Sequence, residues 1–321
     1  MAMKTVGIFP ASGGLGRSTY RHLLEIVPKQ KVVLISRHPD KVSQAYVDAG
    51  VQARQASYES SPADLEVVFA GIEALFLISY PSHVRDYRIK VQLPAIDAAR
   101  CAGVTHVFYS SLAFAGGVKS NHSVAEVMQA HLATEAYLAK MAAEDQSFTY
   151  TVIREGLYAE SVPIYTAFFG PEAEPAVSEI LIPHDGTGPG VAWVERDELG
   201  EASAKLIASY AADSDKFKYT NDTVLLTGTK VWTLEDTVKA LVEIAGHNIK
   251  IRQVSVDQYV ELKQVQAVFG SREKAMTWAT AWEAIRAGEA AAMTSQMEEI
   301  LGRKPTDFDV SVKKIWGQKG Q

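Results

Sequence analysis

The sequence predicts an α/β protein: a doubly wound parallel sheet with a smaller C-terminal α/β lobe. Three observations predict it. Short, β-branched and nearly continuous apolar runs alternate with helix-length segments through the first half. A glycine-rich loop follows the first run and opens a helix. After Arg154 the alternation breaks, and a stretch rich in aromatics, prolines and glycines begins a less regular second part.

The elements follow in order. Candidate strands are TVGIF, KVVLIS, VQARQ, ALFLIS, THVFYS and FTYTVI, with helices starting near Leu15, Pro39, Ala63, His83 and Val124. Continuous apolar runs suit strands covered on both faces, and right-handed crossovers then give the doubly wound topology. Beyond Arg154, Gly156 to Gly190 contains AFFGPEAEPA and IPHDGTGPG. ERDELGEASAKLIASY reads as a helix, and TVLLTG as a strand able to rejoin the main sheet. In WTLEDTVKALVEIAG, Thr233 and Asp236 stand at capping-box spacing. The predicted core is 1–155 with about 194–229, and the lobe is 156–193 with 230–321.

Composition narrows the function. The 321 residues suffice for a sizeable core, and 47% hydrophobic with 22% charged residues is ordinary for a globular chain. A net charge of −6 with no long basic run argues against nucleic acid or an anionic membrane as partner. The single cysteine, Cys101, excludes an intrachain disulfide and a cysteine-based zinc site, and is expected to be packed. No stretch approaches the roughly 18 apolar residues of a membrane span, so a cytoplasmic protein is expected.

The loop after strand one, Pro10-Ala11-Ser12-Gly13-Gly14-Leu15-Gly16, matches G-x-x-G-x-x-G with its first glycine replaced. Gly13 would let backbone approach a pyrophosphate, and Gly16 would let the helix pack close to the strand. Proline forbids a positive φ and removes one N–H, but donors at the helix start from Gly13 to Gly16 remain. After strand two no carboxylate follows directly, while Arg37 and Lys41 could reach a 2′-phosphate. The loop therefore reads as Rossmann-like, with NADPH preferred to NADH.

With these segments the chain resembles the NmrA-like family of atypical short-chain dehydrogenases, and within it the NADPH-dependent quinone oxidoreductases of type 2. The matching pieces are FPASGGLG, SRHPDK, LFLISYPS, AGVTHVFYSSL, HLATEAYL, YTVIREGLYAES, TKVWTLEDTV and ILGRKPTDF. The pattern departs at Pro10 and between Glu261 and Glu298. The resemblance implies that Ser12, Gly13, Gly14, Leu15 and Gly16 cradle the pyrophosphate, with Arg37 on the 2′-phosphate. It also implies Ser79, Tyr80 and Pro81 beside the ribose and nicotinamide, and Ser110 and Ser111 on the nicotinamide side.

The Tyr-x-x-x-Lys pair of typical short-chain dehydrogenases is missing from the first half; Tyr259-x-x-x-Lys263 lies far downstream and reads as coincidence. His131 and Glu135 are four apart on one predicted helix face, so Glu135 could orient His131 as a proton donor. Tyr158, after strand six, is a candidate for stacking on a planar substrate or donating to it. Tyr80, Phe114, Phe168 and Trp193 are candidate apolar walls, and no metal site is expected. The leading expectation is an NADPH-dependent reductase of a quinone-like, enone or iminium small molecule with an aromatic or hydrophobic body. The alternatives are a nucleotide-sensing regulatory protein, and a non-redox isomerase or cyclase on the same fold. A homodimer is compatible with each.

Overall fold

The computed structural model describes residues 3–171 and 177–317; residues 172–176 of the AFFGPEAEPA stretch lie outside it. The apolar runs form β1 (Val6–Phe9), β2 (Val32–Ser36), β3 (Gln52–Gln55), β4 (Ala74–Ile78), β5 (His106–Leu112) and β6 (Thr149–Glu155). The later segments supply β7 (Glu179–Ile182), β8 (Asp222–Leu226) and β9 (Lys250–Gln253). The main sheet is parallel, in the order β3-β2-β1-β4-β5-β6-β8. TVLLTG does rejoin it, as β8 beside β6. β3 reads QARQ, polar and partly exposed, because it is the sheet edge. A second sheet pairs β7 with β9 in parallel.

Helices follow most strands: α1 (Gly14–Ile26), α2 (Gln44–Asp48), α3 (Pro62–Phe69), α4 (Arg85–Cys101) and α5 (Glu126–Glu144). Then come α6 (Val162–Tyr165), α7 (Arg196–Ala212), α8 (Leu234–Ala245), α9 (Val256–Val260) and α10 (Lys263–Phe269). α11 (Arg272–Arg286), α12 (Gln296–Leu301) and α13 (Phe308–Trp316) complete the chain. The helix expected from Pro39 is reduced to a 3-10 turn at Pro39–Lys41 and the five-residue α2. Thr233 caps α8, its side chain accepting from the Asp236 amide at 3.0 Å. A full capping box, which the sequence reading missed, opens α9 between Ser255 and Gln258.

Alternation along each strand assigns the two faces of the sheet. Leu75, Leu77, Val107 and Tyr109 pack with residues of α3, α4 and α5. Phe76, Phe108 and Ile153 point the other way, into the core shared with α1 and α7. A third cluster, built on Trp193, Tyr165, Trp278 and Trp282, fills the region around β7, β9, α8 and α11. Phe114 and Trp193 belong to this core, at 0% and 1% exposure, so they are not cleft walls. Trp193 is fixed there by its indole N–H donating to Thr237 Oγ1 at 3.0 Å. Cys101 also departs from expectation: it is exposed at the end of α4. Among the described residues, no helix is long and apolar enough to cross a membrane.

Candidate functional site

Strand order reverses between β1 and β4, and the loops leaving their C-terminal ends flank the crevice where doubly wound sheets bind ligands. The glycine loop occupies one side of that crevice. Gly13 is the N-cap of α1 with φ +100°, a conformation that suits glycine and strains other residues. Gly16 allows close packing: a Cβ there would lie 2.7 Å from the Pro10 carbonyl oxygen. The first backbone bond of α1 runs from the Arg17 amide to the Gly13 carbonyl, and among the described residues no side chain caps the helix. The amides of Gly14, Leu15 and Gly16 therefore have no partner within the helix, as an anion site needs. Pro10 lies upstream of all three, so its missing N–H removes none of them. The next amide, of Ala11, bonds the Ile35 carbonyl at 2.7 Å and ties the loop to β2.

A hollow of about 400 Å³ opens over this helix start, lined by Gly13, Gly14, Arg17, Ser18, Arg21, Glu160, Arg196 and Asp197. Arg196, the first residue of α7, lies against Gly14: a Cβ on Gly14 would fall 2.5 Å from its guanidinium. Nothing in its local sequence, VERDEL, marks this residue. Arg37 and Lys41 are exposed just beyond β2, and neither forms an ion pair among the described residues.

A second cleft of about 180 Å³ lies beyond the ends of β4, β5 and β6. Ser79, Ser110, Ser111, His131, Glu155, Tyr158 and Ser161 supply its polar atoms; Leu112, Leu157, Ile164, Tyr165 and Trp278 supply apolar walls. Of the expected site residues, the structure thus brings together Ser79, Ser110, Ser111, His131 and Tyr158. Tyr80 sits beside Ser79 but stacks edge-on with Tyr58 and Tyr87. A hydrogen bond to Glu59, with burial adding, pushes its phenol up to about 12. Pro81 is exposed.

The pairing of His131 with Glu135 does not form. Glu135 bonds Arg154 Nε at 3.1 Å and Nη2 at 2.6 Å, and accepts from Ser111 Oγ at 2.5 Å. A bidentate guanidinium from β6 prevails over helical spacing. His131 meets other partners: Arg88 Nη2 at 2.7 Å from Nε2, and Tyr109 Oη at 3.1 Å from Nδ1. Arginine only donates, so Nε2 accepts and the ring proton sits on Nδ1. Burial, with Arg88 and Arg154 nearby, drives the imidazole pKa well below its usual value. His131 is therefore a neutral, doubly engaged wall residue and lacks the poised proton expected of a donor.

The residue that sequence reading overlooked is Glu155, the last of β6. The residue is 1% exposed; its carboxyl accepts from Tyr158 Oη at 2.7 Å, and among the described residues Oε1 has no hydrogen-bond partner. Burial pushes it up to about 8, against smaller opposing contributions from Tyr158 and Ser110. Burial, and the neighbouring Glu155, push the Tyr158 phenol well above its ordinary value. A signal existed in the sequence: the apolar run YTVI ends in the charged pair Arg154-Glu155. Adjacent strand residues face opposite ways, so Arg154 turns to α5 while Glu155 shares the other face with Ser110. Among the described residues, no group of three or more His, Cys, Asp or Glu could hold a metal ion.

A reversing parallel sheet with an uncapped glycine loop at its switch point defines a Rossmann-like protein of the dinucleotide-binding type. The model of the NmrA-like family matches residues 2–309, and the chain belongs to that family. It is 32% identical over 298 residues to an NmrA-like family domain-containing oxidoreductase of Aspergillus flavus, covering 92% of this chain and 89% of that protein. Its fold is similar to the triphenylmethane reductase of Citrobacter sp., solved with NADP(H). That match has TM-score 0.75 and 25% identity, over 97% of this chain and 99% of that one. It also shares the fold of an NADPH-dependent quinone oxidoreductase of Escherichia coli solved with NADPH. There the TM-score is 0.76 and the identity 23%, over 97% and 99% of the two chains.

Proposed function

We propose that the protein is an NADPH-dependent reductase of a quinone-like, enone or iminium small molecule. The observation that carries this reading is the adjacency of two sites, an anion-ready hollow at the α1 start and a largely apolar cleft at the ends of β4 to β6. Arg196 and Glu160 join them: Arg196 lies on Gly14 and also 6.0 Å from the Tyr158 ring centre, while Glu160 accepts from the Arg196 amide at 3.1 Å.

The residues present fit the dinucleotide. The amides of Gly14 to Gly16 would hold the pyrophosphate, with Ser12 and Gly13 shaping the approach and Arg196 adding charge above the loop. Arg37 and Lys41 would take the 2′-phosphate, and the position directly after β2 holds Arg37 rather than a carboxylate, with Asp40 three residues further on, which disfavours NADH. Ser79, Tyr80 and Pro81, with Ser110 and Ser111, would border the ribose and nicotinamide. Bound there, NADPH supplies a hydride. The chain's own residues then orient a flat acceptor against Trp278, Tyr165 and Leu157 and present the Tyr158 hydroxyl to it. The lobe of 156–193 and 230–321 would cover the acceptor side of the core.

Relatives named as oxidoreductases, one of them solved with NADP(H), support the reading. A crystal structure with NADPH tests it. Ordered cofactor on the Gly13–Gly16 loop, with its nicotinamide open to the Tyr158 cleft, is the expected result. A cofactor whose nicotinamide face is sealed from any acceptor would favour nucleotide sensing instead.

A further inference from the structure

A buried carboxyl in the cleft wall, with no cation beside it among the described residues and bonded to Tyr158, one of the two tyrosines that line the cleft, needs a reason to exist. Buried polar atoms almost always find partners, and an orphaned one marks a stability cost or a function. Glu155 has such an orphan in Oε1, and its contacts are Tyr158 and Ser110. The charged groups around the pair are all engaged elsewhere. Arg154 turns to the opposite face of β6 and pairs with Glu135. Arg196, beyond the Tyr158 ring, lies 3.9 Å from Glu160. His131, across the cleft from α5, is neutral and held by Arg88 and Tyr109.

We propose that Glu155 is a protonated carboxylic acid that resupplies Tyr158, so that the two form the proton relay of the reductase. The inference rests on the reductase reading given above. The step balances. The acceptor gains a hydride from NADPH as a new bond to hydrogen, and its displaced π electrons become a lone pair on oxygen or nitrogen. That atom takes the Tyr158 Oη proton; Tyr158 takes the proton of the Glu155 carboxyl; the carboxylate is reprotonated from water afterwards. The acceptor is reduced by two electrons and NADPH is oxidised to NADP+.

The chemistry explains why two residues are needed. Tyr158 faces the cleft but is held as a poor acid by its surroundings, whereas Glu155, although it lines the cleft, is 1% exposed and sits behind Tyr158, bonded to its hydroxyl. A neutral Glu155 can donate to the Tyr158 oxygen, leaving the phenol hydrogen free for the acceptor. An ionised Glu155 can only accept, and draws that hydrogen away. Turnover should therefore need protonated Glu155, with pKa near the working pH as general acids require.

Glu155→Gln, which keeps shape and hydrogen-bonding capacity, tests the relay together with Tyr158→Phe. Wild-type kcat should fall about tenfold per pH unit above about pH 8. Glu155→Gln should lose this alkaline limb and about 100-fold in kcat at pH 7, with KM little changed. A second readout needs no cofactor. The infrared band of a protonated carboxyl, present in the ligand-free wild type at pH 6, should fade with a midpoint near 8 and be absent from Glu155→Gln. An unaltered kcat and alkaline limb in Glu155→Gln, or no protonated-carboxyl band in the wild type, would overturn the relay while leaving the reductase reading intact. Wild-type protein that reduces no acceptor overturns both. If Glu155→Gln does not fold, the wild-type infrared titration and the kcat of Tyr158→Phe decide, with unchanged turnover in the latter overturning the relay.

Discussion

Gly16 shows most directly how one residue positions the site. Its missing side chain lets α1 approach the β1 loop, where a Cβ would meet the Pro10 oxygen at 2.7 Å and Ala11 backbone atoms at 3.0 Å. Backbone cannot give way as a side-chain tip can, so Gly16→Ala should cost about 1–3 kcal/mol in denaturant unfolding and weaken NADPH in titration calorimetry. Pro10, the departure from the glycine pattern, lies upstream of the amides that α1 leaves free and removes none of them. Titratable residues set the pH dependence. His106 is fully buried between Thr149 and Thr151 and stacked on Tyr210, and burial pushes its pKa down to about 3. The unfolded chain takes up that proton below about pH 6.5 while the native state does not, so stability is complete above 6.5 and lost as pH falls. By pH 5 the loss from His106 should reach about 2 kcal/mol, and His106→Gln should flatten that part of the stability–pH curve. The glycines were legible in the sequence because each answers a local backbone demand. Glu155 was marked only by the charged pair that closes an apolar run, because its meaning depends on burial and on a tyrosine across a turn.

Among the elements, α7 does something the sequence pattern did not announce. It packs along α1 in a shared core, which sets its first residue, Arg196, over the glycine loop. Such a placement arises from tertiary packing between segments 180 residues apart and leaves no local signature. Arg196→Ala should weaken NADPH about tenfold, roughly one charge-assisted hydrogen bond, while the unfolding midpoint moves little because the side chain is 38% exposed. A calorimetric titration of the variant checks this. α5 supplies the opposite lesson. Its spacing suggested a His131–Glu135 pair, yet residues four apart can each find stronger partners off the helix. Glu135 faces a guanidinium from β6 and His131 one from α4. The strands of the main sheet, by contrast, were legible, since a doubly covered strand must be a short apolar run, whereas β7 and β9 of the second sheet were not read from the sequence. α2 was overestimated because the β2–β3 connection at the sheet edge has little apolar surface to cover.

At the scale of the whole molecule, a reversing parallel sheet places the β1 loop, the Arg37 loop and the Ser79 loop at one end. Helices and a small second sheet fold around a third core beyond that end, and Tyr165 and Trp278 bring part of it to the cleft. The order of the elements made the sheet legible from sequence. The walls were misjudged because Phe114 and Trp193, aromatic and near the cleft in sequence, are absorbed into that core. The architecture accounts for a reductase only if an acceptor is turned over. Purified protein, assayed by loss of NADPH absorbance with a panel of quinones, enones and iminium compounds, should reduce at least one of them, and more efficiently with NADPH than with NADH. Failure to consume NADPH with every acceptor, or an equal rate with NADH, would contradict the account.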